Sequence, residues 1–274
     1  MRKFFFNTPY LIFLIGCFFL GLIHRGQGDT VAVMLALEAD MKSLSERAVV
    51  IGEPTALGSR RIHRLQIGPH RVYAVIMGSG CVETAVSAEA LLTRFRCDVA
   101  FSLGPAGGLA EPAAPGRWFY VGECVVRGKS AGPGSRGQPL VIPDVPNEWK
   151  VGAPLEKTPK VVLTAGEVFV NQRTQRDSLA ASTGALLVDM NTHGLHAACA
   201  NHRLPLHVWR VVSDMADEEA GQRFREFVQA YDGAGGRALA ALIRELPANP
   251  NAAGSYSAIQ KLIKPQEGGE SGPD

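Results

Sequence analysis

An uncharged run, TVAVMLAL, occupies Thr30 to Leu37 between Asp29 and Glu38. Its length and its β-branched content predict a strand covered on both faces. The next stretch, EADMKSLSERA, predicts a helix. RRIHRLQIG and RVYAVIMGS predict two more strands, and VETAVSAEALLTRF carries small and apolar residues at helical spacing. CDVAFSLG is a further apolar run, ending in a small-residue turn at Pro105-Ala106-Gly107-Gly108. Beyond it come a strand in WFYVGECVV, a Gly-, Ser- and Pro-rich segment from Gly128 to Pro159, and a strand in KVVLTAG. A helix in DMNTHGLHAACANHR, a strand in LHVWRVVSD and one long helix in GQRFREFVQAYDGAGGRALAALIREL complete the pattern.

Strands alternating with helices predict an α/β fold with a mixed, mostly parallel central sheet flanked by helices on both faces. In such sheets ligands bind beyond the carboxyl ends of the strands. That selects Glu38 to Asp40, Gly78 to Gly80, Gly104 to Gly108, Gly166 to Asn171 and Ser213 to Asp217 as the places to look for chemistry.

The 274 residues accommodate one such domain, read as 29–246, with a mobile tail over 247–274 that is rich in Gly, Pro and polar residues. Residues 1–28 put Arg2 and Lys3 ahead of an apolar run from Leu11 to Ile23 and end in Gly26-Gln27-Gly28, the layout of a secretory signal peptide cleaved after Gly28. Two alternatives keep the segment at a membrane: Leu14-Ile15-Gly16-Cys17 resembles a lipidation site at Cys17, and the uncleaved run is an N-terminal anchor. The expected location is therefore exported, periplasmic or membrane-anchored. It is cytoplasmic if the start codon is misassigned.

Removing residues 1–28 takes three cations and no acid, so the formal charge falls from +2 to −1 and no affinity for nucleic acid is implied. Cys81, Cys97, Cys124 and Cys199 lack CxxC spacing and sit in apolar surroundings, which favours buried thiols over disulfides. His193 and His196 stand three apart on a predicted helix without an acidic or cysteine partner at ligand spacing, so no metal and no other cofactor is expected.

Four pieces in fixed order carry a resemblance to a known family. VAVMLALEADMKSL, DVAFSLGPAGGL, TAGEVFVN and VDMNTHGLHAACANHRLPLHVWRVVSDMAD resemble segments of the nucleoside phosphorylase and nucleosidase superfamily, closest to the methylthioadenosine/S-adenosylhomocysteine nucleosidases. The resemblance runs from Val31 to Leu246 and weakens over Gly128 to Pro159. It implies a nucleoside phosphorylase-like fold, a homodimer, a small-molecule nucleoside as ligand, and hydrolysis of the N-glycosidic bond of a purine nucleoside to release free base.

Such cleavage needs a proton donor at the departing base, stabilisation of a cationic ribosyl group and a nucleophile on its other face. By resemblance the donor is Asp214, and Asp40 positions the attacking water where the family has a glutamate. Arg210 supports that side. Phe169 covers the base while Val170 reads its edge through the backbone, Met190 packs on the ribose, and Ser79, Gly80 and Gly107 lie in turns that approach the substrate. Asn191 stands where the family has the glutamate that takes the ribose hydroxyls. An amide brings no charge to a cationic transition state, a loss on the order of a few kcal/mol. Pro105 replaces a family serine. These departures keep two other readings open: a catalytically silent nucleoside-binding or storage protein, and a phosphate-dependent phosphorylase.

Overall fold

The computed structural model describes residues 28–127 and 140–247. The expected signal or anchor, the tail from Ala248 and the first part of the Gly-rich segment lie outside the described residues. In chain order the elements are β1 (Thr30–Leu35), α1 (Glu38–Ser45), β2 (Val49–Val50), β3 (Thr55–Leu57), β4 (Arg60–Ile67), β5 (His70–Ile76), α2 (Cys81–Arg94), β6 (Val99–Gly108), β7 (Trp118–Val126), β8 (Leu140–Val141), β9 (Lys160–Ala165), α3 (Arg173–Thr183), β10 (Leu187–Asp189), α4 (Thr192–Asn201), β11 (Leu206–Asp214), α5 (Ala220–Ala230) and α6 (Ala234–Arg244).

The sheet is mixed, in the order β10-β9-β7-β11-β6-β1-β5-β4-β2. Its centre, β5-β1-β6-β11, is parallel, as the near-continuous apolar runs predict. Antiparallel pairings occupy the β4 edge and the join of β11 to β7. They outnumber what the apolar runs alone imply, because the short strands β2, β3 and β8 leave no periodic signature. Helices α1 and α6 pack together against β5 and β4, and α2 and α4 form a second pair against β1 and β11. Among the described residues no helix is long and apolar enough to cross a membrane.

Pro105 to Gly108 is not a turn. It continues β6, pairing with β11 along Pro105↔Val211 and Ala106↔Val212, while β10 crosses it antiparallel at Val188↔Gly107. That crossing closes β6, β11, β7, β9 and β10 into a ring. Gly107 permits it, because a Cβ there would meet Val188, Ala216 and the Asp214 carboxylate at 3.1 to 3.2 Å.

The single long C-terminal helix predicted from the sequence is two helices. Gly233 adopts φ +74° between them, and a side chain there would run into the Ala39 carbonyl and Ser43. The break lets α6 fold back onto α1. Helix α3 has no buried residue, so it carried no apolar stripe to read. The described part of the Gly-rich segment contributes to the core through Ile142, Trp149 and Leu155. Cys81, Cys97, Cys124 and Cys199 are free thiols, three of them buried.

Candidate active site

Strand β11 is buried at every position, and it carries two charged residues, Arg210 and Asp214. Burying a charge is unfavourable unless it is paired or neutralised, and the two residues meet that cost differently.

Arg210 is paired. Its Nε donates to Asp189 Oδ2 at 2.8 Å, with both side chains 1% exposed. Its Nη2 donates to Thr192 Oγ1, and its Nη1 to Ser102 Oγ and the Trp209 carbonyl. Asp189 in turn accepts from the main-chain N–H groups of Asn191 and Thr192 at 3.2 and 3.1 Å and so caps α4. The carboxylate one residue before Met190 is fully engaged and does not stand in for the family glutamate.

Asp214 has no cationic partner among the described residues. Its Oδ2 accepts from Ser213 Oγ at 2.7 Å and its Oδ1 from the Ala216 N–H at 2.9 Å. A register shift between Val212 and Asp214 and a left-handed Ala216, φ +51°, turn the strand end so that the carboxyl faces a cavity. Burial raises its pKa, and the Asp217 charge adds to the rise against the two hydrogen bonds.

The cavity has a volume of about 470 Å³, within the range of small-ligand sites. The ends of β1, β5, β6 and β11, the segment after β9, the β10–α4 junction and one face of α5 line it. Asp214, Asn191, Met190, Phe169, Val170, Ser79 and Gly107 meet there. Phe169 stands edge-on to Phe224, ring centroids 6.1 Å apart, and the Ser79 hydroxyl lies 4.0 Å from Met190 Sδ.

Asn191 has a use for its amide. Its Nδ2 donates to the Gly78 carbonyl at 2.9 Å and to Thr84 Oγ1 at 2.6 Å, tying the β10–α4 junction to the turn after β5. A carboxylate in that place would face the carbonyl as acceptor against acceptor. Replacing Asn191 by the isosteric Asp is expected to lower stability by about 1–3 kcal/mol through these lost donors, measured by chemical denaturation at pH 7.

Three residues expected at the substrate lie elsewhere. Arg210 sits behind the cavity wall, held by Asp189. Gly80 lies beside the cavity, at the start of α2, where Glu167 accepts from the Val82 N–H at 2.9 Å and covers the helix end. Asp40 faces away and is fully buried between α1 and α6. Its Oδ1 accepts from the Tyr231 hydroxyl and the Gly236 N–H, both at 2.8 Å, while its Oδ2 has no hydrogen-bond partner among the described residues. Tyr231, at the end of α5, and Gly236, in the back-folded α6, supply those donors and hold the side chain away from the cavity.

Burial pushes the Asp40 pKa up to about 6, despite the Tyr231 and Gly236 hydrogen bonds and the Arg237 charge; Asp232 raises it further. Between the unfolded value of 3.8 and this value the folded state holds the extra proton. Stability from this group is therefore greatest in acid and declines as pH rises toward 6. The stability of Asp40→Asn relative to the parent should improve by on the order of 2–3 kcal/mol between pH 4 and pH 7.5. Urea midpoints at the two pH values measure it, and a pH-independent difference would sink this account.

Sequence reasoning missed Arg127, Phe224 and Arg225, all of which line the cavity; Ser213 stands at a strand end already singled out. Arg127 follows β7, a strand end passed over because a loop was expected to follow. Gly221, Phe224 and Arg225 share one face of α5 at i, i+3 and i+4, a spacing legible once the helix is taken to face a ligand.

Comparison with known proteins agrees with this architecture. The sequence model described as "Phosphorylase superfamily" matches residues 30–246, and the chain belongs to that superfamily. A 5′-methylthioadenosine/S-adenosylhomocysteine nucleosidase of Staphylococcus aureus (strain COL) is 27% identical over 183 residues, 62% of this chain and 79% of its own. The crystal structure of a nucleosidase of the same name from Colwellia psychrerythraea 34H, in complex with adenine, superposes with TM-score 0.70 at 19% identity, covering 80% of this chain and 96% of that one. A futalosine hydrolase mutant of Helicobacter pylori strain 26695 superposes with TM-score 0.66 at 17% identity, covering 80% of this chain and 100% of that one. At these identities the structural likenesses establish the fold.

Proposed function

We propose that the protein hydrolyses the N-glycosidic bond of a purine nucleoside and releases the free base. The placement of Asp214 carries this reading: a buried carboxyl with a raised pKa, facing a cavity of nucleoside size beside the Phe169–Val170 segment. In its protonated form Asp214 donates to N7 of the purine as the base leaves, which spares the leaving group its negative charge. Phe169 covers the base, and Met190 packs against the ribose. Asn191 offers a ribose hydroxyl its Oδ1, which takes no part in the bonds that fix its Nδ2. Water then captures the ribosyl cation. With Asp40 committed to α6 and no glutamate at position 191, that capture proceeds without a dedicated carboxylate, so a slow enzyme is expected. The names of the Staphylococcus relative and of the adenine-bound Colwellia structure support the substrate class.

The same two observations, Asp40 turned away and an amide at Asn191, favour a second reading in which the cavity binds a nucleoside without turning it over. Purified protein incubated with adenosine, inosine, methylthioadenosine and S-adenosylhomocysteine, with and without phosphate, separates the cases. Free base without phosphate supports hydrolysis, and phosphate-dependent release means phosphorolysis. Binding by calorimetry with no release means a silent site.

A homodimer, by family resemblance, and export or membrane attachment through residues 1–28, on their two leading cations and apolar run, belong to the same proposal. Sedimentation and cell fractionation test them.

A further inference from the structure

The end of the sheet opposite the cavity carries a surface of its own. Gly28 enters the domain there, pressed so closely against Pro69 that a Cβ would stand 2.5 Å from the Pro69 carbonyl. Asp29 is buried, and its N–H donates to Nδ1 of the buried His70 at 3.1 Å. The point at which residues 1–27 join the fold is therefore fixed, at the turn between β4 and β5. Beside it β2 begins: Val49 pairs with Gln66 and Val50 with Leu65, and β2 ends the sheet on that side. Val49, Val50 and Ile51 are 67, 55 and 41% exposed, three consecutive β-branched side chains on an open edge strand. Edge strands are ordinarily blunted by charge or proline, and an apolar run left bare on one marks a surface that something covers.

Arginines rim this edge. Arg244 donates to the Arg47 carbonyl at 2.9 Å and lies against Gly68, in the turn that Gly28 touches. Arg71 is exposed just beyond that turn. Arg47 reaches only its neighbour Glu46, at 3.8 Å and in solvent, and Arg71 and Arg244 form no ion pair among the described residues. The acids at this end do not offset them: Glu245 is paired with Lys150, and the exposed Asp98 stands two residues from the exposed Arg96.

We propose that this end of the domain docks on an anionic lipid bilayer, with Val49, Val50 and Ile51 meeting its surface and Arg47, Arg71 and Arg244 holding lipid phosphates. The inference rests on membrane attachment through residues 1–28. Chain length argues for this occupant. The apolar run ends at Ile23, and the chain from there to Gly28 spans at most about 18 Å. With the run embedded in hydrocarbon, the headgroup layer takes roughly 5–8 Å of that reach. Gly28 and the edge beside it are then held at the membrane surface. Arg25 adds a cation to the same strip, and cations beside an anionic leaflet each strengthen the contact severalfold. The cavity lies at the other ends of β1, β5, β6 and β11, a strand's length away, so docking leaves it on the aqueous side.

The test is amide hydrogen exchange on the full-length protein, floated with vesicles of phosphatidylcholine alone or of equal parts phosphatidylcholine and phosphatidylglycerol. Docking predicts that residues 47–51 and 68–71 exchange at least about tenfold more slowly on the anionic vesicles than on the neutral ones, the joint effect of several cations at the leaflet. Ser79 and Val168, at the cavity, should exchange alike on both. Combining Arg47→Gln, Arg71→Gln and Arg244→Gln should bring the ratio close to one. If that variant fails to fold, the parent at about 1 M salt takes its place, because a screening length of roughly 3 Å removes attraction between exposed charges. A ratio of one in the parent overturns the inference, as does a ratio that survives the triple variant or the salt, or equal slowing at Ser79 and Val168. Slowing that follows the protein-to-lipid ratio and ignores lipid charge assigns the edge to a second copy of the chain and overturns it as well. Flotation without slowing defeats docking alone; failure to float with either vesicle defeats the attachment reading with it.

Discussion

Replacing Asp214 by Asn is expected to lower base release by about a thousandfold or more while leaving the protein folded. The change removes the dissociable proton and little else. The oxygen of the introduced amide can still accept from the Ala216 N–H, and its NH2 group can meet the Ser213 hydroxyl, so the two bonds that aim the side chain survive. General acid catalysis contributes roughly 10²–10⁴-fold. The upper part of that range applies here because the other carboxylate that lines the cavity among the described residues, Asp189, is tied to Arg210 and does not share the load. The pH dependence gives a second, independent reading. Burial raises the Asp214 pKa, so the donor form persists to a higher pH than an exposed aspartate allows, and base release should fall as pH rises through that value. The residual activity of the Asp214→Asn variant should lack that limb. Activity retained within about tenfold, or an unchanged pH limb, would remove Asp214 from the reaction and leave the silent-site reading.

How far the sequence reaches can be followed residue by residue. β1 and β11 were legible because strands buried on both faces are apolar along their whole length, and the end of β11 placed Asp214 at a strand terminus where parallel sheets bind ligands. The family pattern located Phe169, Val170 and Met190 for the same reason: each follows a strand by a fixed, short distance. Asp40 was not legible, because the groups that draw it away, Tyr231 and Gly236, lie 191 and 196 residues further along the chain. Asn191 read as a lost charge, and its gain, the tie to Gly78 and Thr84, depends on α4 meeting the turn before α2. Arg127 was hidden by its setting, since a lone arginine before a Gly-rich segment reads as an exposed loop residue. In each case the missing information was a contact between distant segments, which periodicity does not encode.

Arg210→Met is expected to cost about 3–5 kcal/mol of stability, because it leaves the Asp189 carboxylate buried without its cation. Methionine fills much of the same volume, so lost packing accounts for little of the effect. The remaining donors to Asp189, the Asn191 and Thr192 N–H groups and the Thr192 hydroxyl, do not neutralise a charge with 1% exposure. The carboxylate then takes up a proton or swings toward the cavity, and either change weakens the cap on α4 that sets Met190 and Asn191 in place. Nucleoside affinity should therefore fall along with stability, although Arg210 itself lies outside the cavity. A double-mutant cycle with Asp189→Asn separates the terms. The amide keeps an acceptor for α4 and removes the charge, so the double variant should be less destabilised than the sum of the single ones by about 2 kcal/mol or more. Additive losses in urea denaturation would mean that the pair is not coupled and that Arg210 acts through packing alone.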